Sequence, residues 1–232
     1  MLNEIIFFIY ILIISTSLLI ALKISKQALI GLICIQVILV NLFVLKEIKL
    51  FNLTTTSSDA LAVGITLGLN LIQEFFSKKE AQQTVFISFL CAIFYSMVTK
   101  LHLLYIPAAN NTEISHSFNM ILDSTPRIII ASLIVYLIAQ SLDCILYSYL
   151  INKVNKKYFI LRNYSSVIIT QFIDTVLFSF LGLYKINENF SSASVIVQII
   201  IISYTIKLLV IFIAAPYISL SKKFLKNKLN KN

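Results

Sequence analysis

The sequence predicts an all-α integral membrane protein, a polytopic helix bundle with a six-span core and one extra N-terminal helix. Three observations carry that prediction. With 59% hydrophobic and 12% charged residues and a mean hydropathy of +0.91, the chain is too apolar for a soluble domain. Its apolar residues also gather into runs approaching ~20 residues, the length that crosses a bilayer as a helix. Finally, the basic residues cluster between and after those runs. In that setting a net charge of +9 reports membrane topology and attraction to anionic lipid rather than a surface for nucleic acid.

The first run, 5–22, follows Met-Leu-Asn-Glu and lacks the basic leader and cleavage site of a secretory signal, so it is expected to be a retained helix. Lys23 and Lys26 separate it from 28–45, which carries Asn41 near its end. Residues 54–59 are expected to form a polar loop. The next run, 60–76, is the least hydrophobic, interrupted by Gly64, Thr66, Gly68, Asn70, Gln73 and Glu74, and is a candidate for cavity lining or partial re-entry. Asn70, Gln73 and Glu74 share one helical face. Residues 84–105 form a further span with Lys100 and His102 towards its end, and 106–126 is the longest polar connection. Spans at 128–151 and 164–184 flank a basic loop at 152–163. The last span, 193–215, has Lys207 at its centre and is closed by Pro216 before a lysine-rich tail.

Charge orients these seven runs. Thirteen of the nineteen Lys and Arg fall on the side that holds 23–27, 77–83, 152–163 and the tail. The positive-inside rule makes that side cytoplasmic, with the N-terminus outside and the C-terminus inside. The expected division is one transmembrane domain over 1–232: an added helix and loop at 1–27, a six-span core at 28–216 and a basic cytoplasmic tail at 217–232.

A near-repeat dominates the chemistry. Gln140-Ser-Leu-Asp143-Cys-Ile-Leu-Tyr147-Ser-Tyr149-Leu is echoed thirty-one residues later by Gln171-Phe-Ile-Asp174-Thr-Val-Leu-Phe178-Ser-Phe180-Leu. Each copy sets a carboxamide and a carboxylate on one helical face inside a span. An intramembrane acid costs about 2.5 to 3.5 kcal/mol on insertion scales and usually faces a bundle interior or a substrate path. Counted from the cytoplasmic ends of their spans, Asp143 and Asp174 lie ~12 and ~15 Å deep, similar enough to flank one pocket. Lys207, cationic near mid-membrane, is expected to pair with one of them. The bland reading of each acid is a hydroxyl- or amide-bonded tie between helices. Glu74 stands near the end of its span, where an interfacial position would also explain it.

His102 and Lys100 have no second His or Cys at ligand spacing, so no metal site is expected. No catalytic residue or cofactor is expected either. The three cysteines, 34, 91 and 144, lie in apolar runs and imply no disulfide framework.

The motif Arg127-x-x-x-Ala131-Ser132-x-x-x-Tyr136-x-x-x-Gln140-x-x-Asp143, then Ser165 leading to Asp174-Thr175-x-x-Phe178, then Tyr204-x-x-Lys207, resembles the queuosine precursor transporter family, also called the vitamin uptake transporter family. Asn41 and Asn70-x-x-x-Glu74-x-x-x-x-x-x-Ala81 extend the resemblance over roughly residues 35–216. It implies import, across the cytoplasmic membrane, of a 7-deazaguanine used to modify tRNA: preQ0, preQ1 or free queuine. The chain departs from the family where Asn70 replaces a common Asp, Ser77 a Gly and Ser166 a Thr.

Such a base presents N–H and amino donors that Asp143 or Asp174 would accept, and a carbonyl that an amide or ammonium would meet. Gln140 and Gln171 would add amide contacts, and Tyr136, Phe172 or Phe178 a ring face. Lys207, Asn70, Glu74 and Asn41 complete the expected substrate-binding set, with Arg127 and Arg162 as structural or gating positions. The partners expected are thus a nucleobase-like small molecule and membrane lipid, with no nucleic acid bound directly. Two other readings stand beside this one. A substrate-capture subunit of an energy-coupling vitamin importer would require a coupling ATPase partner, because the chain has no Walker A sequence. An intramembrane aspartyl protease would require a Gly-x-Gly-Asp element, which is absent.

Overall fold

The computed structural model describes residues 2–44, 46–106, 112–122, 126–154, 158–185 and 192–222. The tail lysines beyond 222, Lys156, Lys157, Pro107 and Asp123 lie outside the described residues. The fold is an all-α bundle in which six helices are long and apolar enough to span a membrane: α1 (Leu2–Ile24), α2 (Lys26–Phe43), α4 (Lys78–His102), α6 (Pro126–Lys153), α7 (Phe159–Phe178) and α8 (Ala193–Ser219). The chain is therefore a multi-pass membrane protein.

Serine caps set two of the reversals. Ser25 accepts a hydrogen bond from the Ala28 amide at 3.0 Å and Ser77 from the Glu80 amide at 3.2 Å, each satisfying one orphan donor at a helix start. A salt bridge of 2.9 Å between Lys26 and Glu80 ties the two turns together.

The remaining long helix, α3 (Asp59–Phe75), carries Thr66, Asn70, Gln73 and Glu74 and runs without a break. Its 17 residues are continuous, about 25 Å at the usual helical rise, and 14 of them are buried. It packs against α1, α2, α4, α6, α7 and α8, so it runs through the centre of the bundle, where it needs no lipid-compatible surface. Two glycines allow that crowding. A Cβ on Gly64 would stand 2.6 Å from an Ile14 methyl of α1 and 2.9 Å from the Gln36 side chain of α2; one on Gly68 would meet Ile33 and Leu18 at 3.0 to 3.1 Å.

Three expectations are corrected. The loop expected at 54–59 belongs instead to an antiparallel hairpin, β1 (Glu47–Leu50) with β2 (Leu53–Thr56), and α3 begins at Asp59. The turn residues Phe51 and Asn52 have φ of 50° and 64°, the left-handed pair a two-residue hairpin requires. Asn fits that conformation and Phe does not advertise it, so the turn carries no glycine signal. The hairpin is held to α1, because the Phe51 amide donates to the Glu4 carboxylate at 3.1 Å and Asn3 donates to the Lys49 carbonyl at 2.9 Å.

Second, the connection expected at 106–126 contains a helix, α5 (Thr112–Leu122), and the His102 ring packs edge-on against Tyr105 and Phe118 with centroids 5.7 and 5.6 Å away. Third, the basic loop expected at 152–163 is shorter, because α7 begins at Phe159. Phe159 and Arg162 are both buried, so this polar-looking segment is interior helix. Two smaller differences concern ends: Pro216 lies inside α8 rather than after it, and α7 runs on into a π-helical turn over Ser179–Leu183.

The glycine contacts predict an asymmetry. Gly64→Ala should lower the melting temperature of the purified protein in detergent, at a cost of about 1 to 3 kcal/mol for overpacking. Gly31→Ala, whose Cβ would meet nothing within 4 Å, should be neutral or stabilising. Equal melting of the two variants would contradict the close packing of α3 on α1.

Candidate functional site

Lys207 settles the central geometry, since a buried ammonium in a helix bundle must find an anion. Its Nζ donates to Asp174 Oδ2 at 2.7 Å and to Thr175 Oγ1 at 3.0 Å, which joins α8 to α7. Asp174 is thus the partner of Lys207, and Glu74 is not.

This pair lines a cavity of about 680 Å³ enclosed by α2, the hairpin, α3, α6, α7 and α8. Asn41, Tyr136 and Gln140 from the expected set face it as well, as does Phe178. Asn41 Oδ1 accepts from Ser132 Oγ at 2.7 Å while its Nδ2 donates to the Val37 carbonyl at 2.8 Å, fixing the amide. The Tyr136 hydroxyl meets Ser88 Oγ at 2.6 Å. At the cavity floor Gln140 Oε1 accepts from Thr66 Oγ1 at 3.2 Å, and the same Thr66 oxygen accepts from Gln171 Nε2 at 2.8 Å.

Asp59 also lines the cavity, although it was hidden in what the sequence presented as a loop. It is buried where the hairpin enters α3. Its Oδ2 accepts from Thr55 Oγ1 at 2.7 Å and its Oδ1 from Ser203 Oγ at 2.9 Å. A Thr/Ser-rich run ending in Asp before an apolar helix carries the ordinary signature of a helix start, and that signature masks the site.

Asp143, Gln171, Asn70 and Glu74 do not line the cavity; they continue away from it. Asp143 Oδ1 accepts from the Ser166 hydroxyl and from Thr170 Oγ1, the latter at 3.2 Å. Its Oδ2 has no hydrogen-bond partner among the described residues, nor has either polar atom of the fully buried Asn70 amide. One turn further, Gln73 Nε2 donates to the Cys144 carbonyl at 2.9 Å.

The polar series ends in a charge cluster. Glu74 accepts from Arg162 at 2.6 and 2.7 Å and from the Tyr147 hydroxyl at 3.0 Å, and Lys222 stands 3.0 Å away. Helices α3, α6 and α7 and the segment just beyond α8 meet there. From Asp59 to Glu74 along α3 the whole series spans about 22 Å. Arg127, by contrast, caps the far end of α7, donating to the carbonyls of Leu181 at 2.9 Å and Tyr184 at 2.6 Å.

The two aspartates are therefore not level. Asp143 is bonded around positions 166 and 170 of α7, whereas Asp174 lies further towards the hairpin end, about 9 Å along the axis from the middle of that pair. The early start of α7 at Phe159 explains the offset, because it adds helix below Asp174 that the sequence assigned to a loop. Phe172, one of the expected ring faces, is half-exposed on the bundle surface, edge-on to Tyr204 at 5.2 Å. Among the described residues no group of His, Cys, Asp or Glu could hold a metal ion.

The buried pair predicts non-additive stability. Lys207→Met or Asp174→Asn alone should destabilise by about 3 to 5 kcal/mol, since each strands a charge. The double variant should melt above either single in detergent. A double variant equal to the sum of its singles would contradict the pairing.

Three comparisons bear on this arrangement. The family described as "Putative vitamin uptake transporter" matches residues 60–221. A protein of Bacillus subtilis (strain 168) named "Probable queuosine precursor transporter" is 30% identical over 192 residues, covering 81% of this chain and 80% of the relative. No solved structure matches the chain.

Proposed function

This chain belongs to the vitamin uptake transporter family, and from that premise we propose that it imports a 7-deazaguanine queuosine precursor across the cytoplasmic membrane by alternating access. The observation that carries the reading is the cavity lying on one half of a continuous polar series that is closed at the other half by the Glu74–Arg162–Lys222 cluster. A volume of about 680 Å³ falls within the range usual for small-molecule sites.

In this proposal Asp174 accepts the N–H and amino donors of the base, Lys207 and Gln140 meet its carbonyl, Tyr136 or Phe178 offers a ring face, and Asn41 closes one wall. Asp143, Gln171 and Asn70 serve the same base as it passes the floor, and their spare polar atoms are what a moving substrate would bond. Glu74 and Arg162 form the inner gate, with Arg127 a structural cap. The basic clustering of the sequence puts the hairpin end outside and the charge cluster inside. The cavity then faces outwards, as an importer awaiting substrate requires.

Queuosine should appear in the tRNA of a precursor-auxotrophic host that expresses this chain, lacks a coupling ATPase and is supplied with the base. Absence of queuosine at normal membrane levels of the protein would overturn the proposal, and appearance only with a coupling ATPase would assign a substrate-capture subunit. Asp174→Asn and Asp143→Asn should each cut uptake about tenfold or more, because an amide loses the charge and half the acceptor capacity. Unimpaired uptake by both would leave the carboxylates as helix ties.

The orientation has its own check. A reporter fused after Asn232 should read cytoplasmic and one inserted within 107–125 external. The reverse at both positions would make the cavity face inwards.

A further inference from the structure

The ionisable groups lining the cavity among the described residues are unequal in sign. Lys207 is its one ammonium, while Asp59, Asp174 and, at the exposed rim, Glu47 are acids; Tyr136 adds only a phenol. The hairpin lysines 46 and 49 stand outside the lining. Lys207 is committed to Asp174 and Thr175. Asp59 touches two neutral hydroxyls and makes no direct ion pair among the described residues, although it is only 5% exposed; the Lys207 ammonium acts on it across a gap, not in contact. A buried carboxylate without a cation costs free energy, and buried charges are otherwise found paired.

Each oxygen of Asp59 has one hydroxyl on it and keeps acceptor capacity towards the cavity. Ser203 and Lys207 are four residues apart on the same face of α8, so the Asp59 and Lys207 anchoring points are about 6 Å apart along the axis. That separation is of the order of a fused bicyclic base with a one-carbon substituent. One end of such a molecule meets the Lys207–Asp174 pair, and the other reaches the Asp59 carboxylate, which no cation touches among the described residues.

We propose that Asp59 determines substrate charge: the cavity selects a base bearing an alkylammonium group, such as the aminomethyl 7-deazaguanine, over neutral analogues such as the cyano compound. This rests on the function proposed above and narrows its substrate class. The ammonium sits against Asp59 and restores charge balance, whereas a nitrile, an acceptor without a proton to give, leaves the carboxylate unpaired.

The test measures the affinity of the purified full chain in detergent for the aminomethyl and the cyano base by calorimetry. The wild type should bind the aminomethyl base about tenfold or more tightly, as expected for a desolvated charge pair. In Asp59→Asn the preference should collapse towards one, mainly through loss of the aminomethyl base, and Asp59→Glu should restore part of it. Equal affinity of the wild type for the two bases overturns the inference by itself, whatever the folding of the variants, and leaves the proposed function standing. A wild-type preference that survives in a folded Asp59→Asn variant also overturns it. Failure of the wild type to bind either base sinks the proposed function and this inference together.

Discussion

The fold depends on one constraint: a helix that carries Thr66, Asn70, Gln73 and Glu74 cannot face lipid. In hydrocarbon each unsatisfied polar group costs several kcal/mol, so α3 has to be wrapped by other helices. The surrounding helices accept the opposite condition, with large apolar side chains such as Phe94, Ile201 and Phe212 exposed on their outer faces. The central position makes Gly64 and Gly68 necessary. It also turns the polar residues of α3 into an internal axis around which α6, α7 and α8 set theirs.

Along that axis the interactions change character. Near the hairpin they are a cavity, one ion pair and the hydroxyl-bonded Asp59; in the middle they are hydrogen bonds among Thr66, Gln140, Gln171, Asp143, Ser166 and Thr170. At the opposite end Glu74 meets two cations and a phenol. Breaking the middle layer exchanges hydrogen bonds of modest net value, whereas breaking the end cluster separates charges. A transporter built this way has a soft floor below its cavity and a firmer closure beyond it.

Much of this was legible in the sequence. Lys207, a cation near mid-span, had to find an acid, and two candidates stood on preceding spans. The choice between them turned on where α7 begins. Phe159 to Arg162 follows a lysine run and looks like loop, but Arg162 is drawn inside by Glu74, a residue 88 positions earlier. Local composition holds no trace of that attraction. The hairpin was hidden for a similar reason, since Phe51 occupies a left-handed turn position where glycine or asparagine would have announced it. Asp59 was hidden by looking ordinary.

The hairpin has a mechanical meaning. It is bonded to the first residues of α1 through Asn3 and Glu4, and to the first residue of α3 through Thr55 and Asp59. The first helix is thereby coupled to the central one at the rim of the cavity, like the outer bar of a linkage. A tilt of α3 cannot leave the hairpin behind without breaking these bonds, and α8 is tied into the same joint, because Asp59 also holds Ser203 and Thr16 of α1 meets the Tyr217 hydroxyl. An N-terminal helix that contributes no residue to the cavity lining would then still set how far the mouth can open.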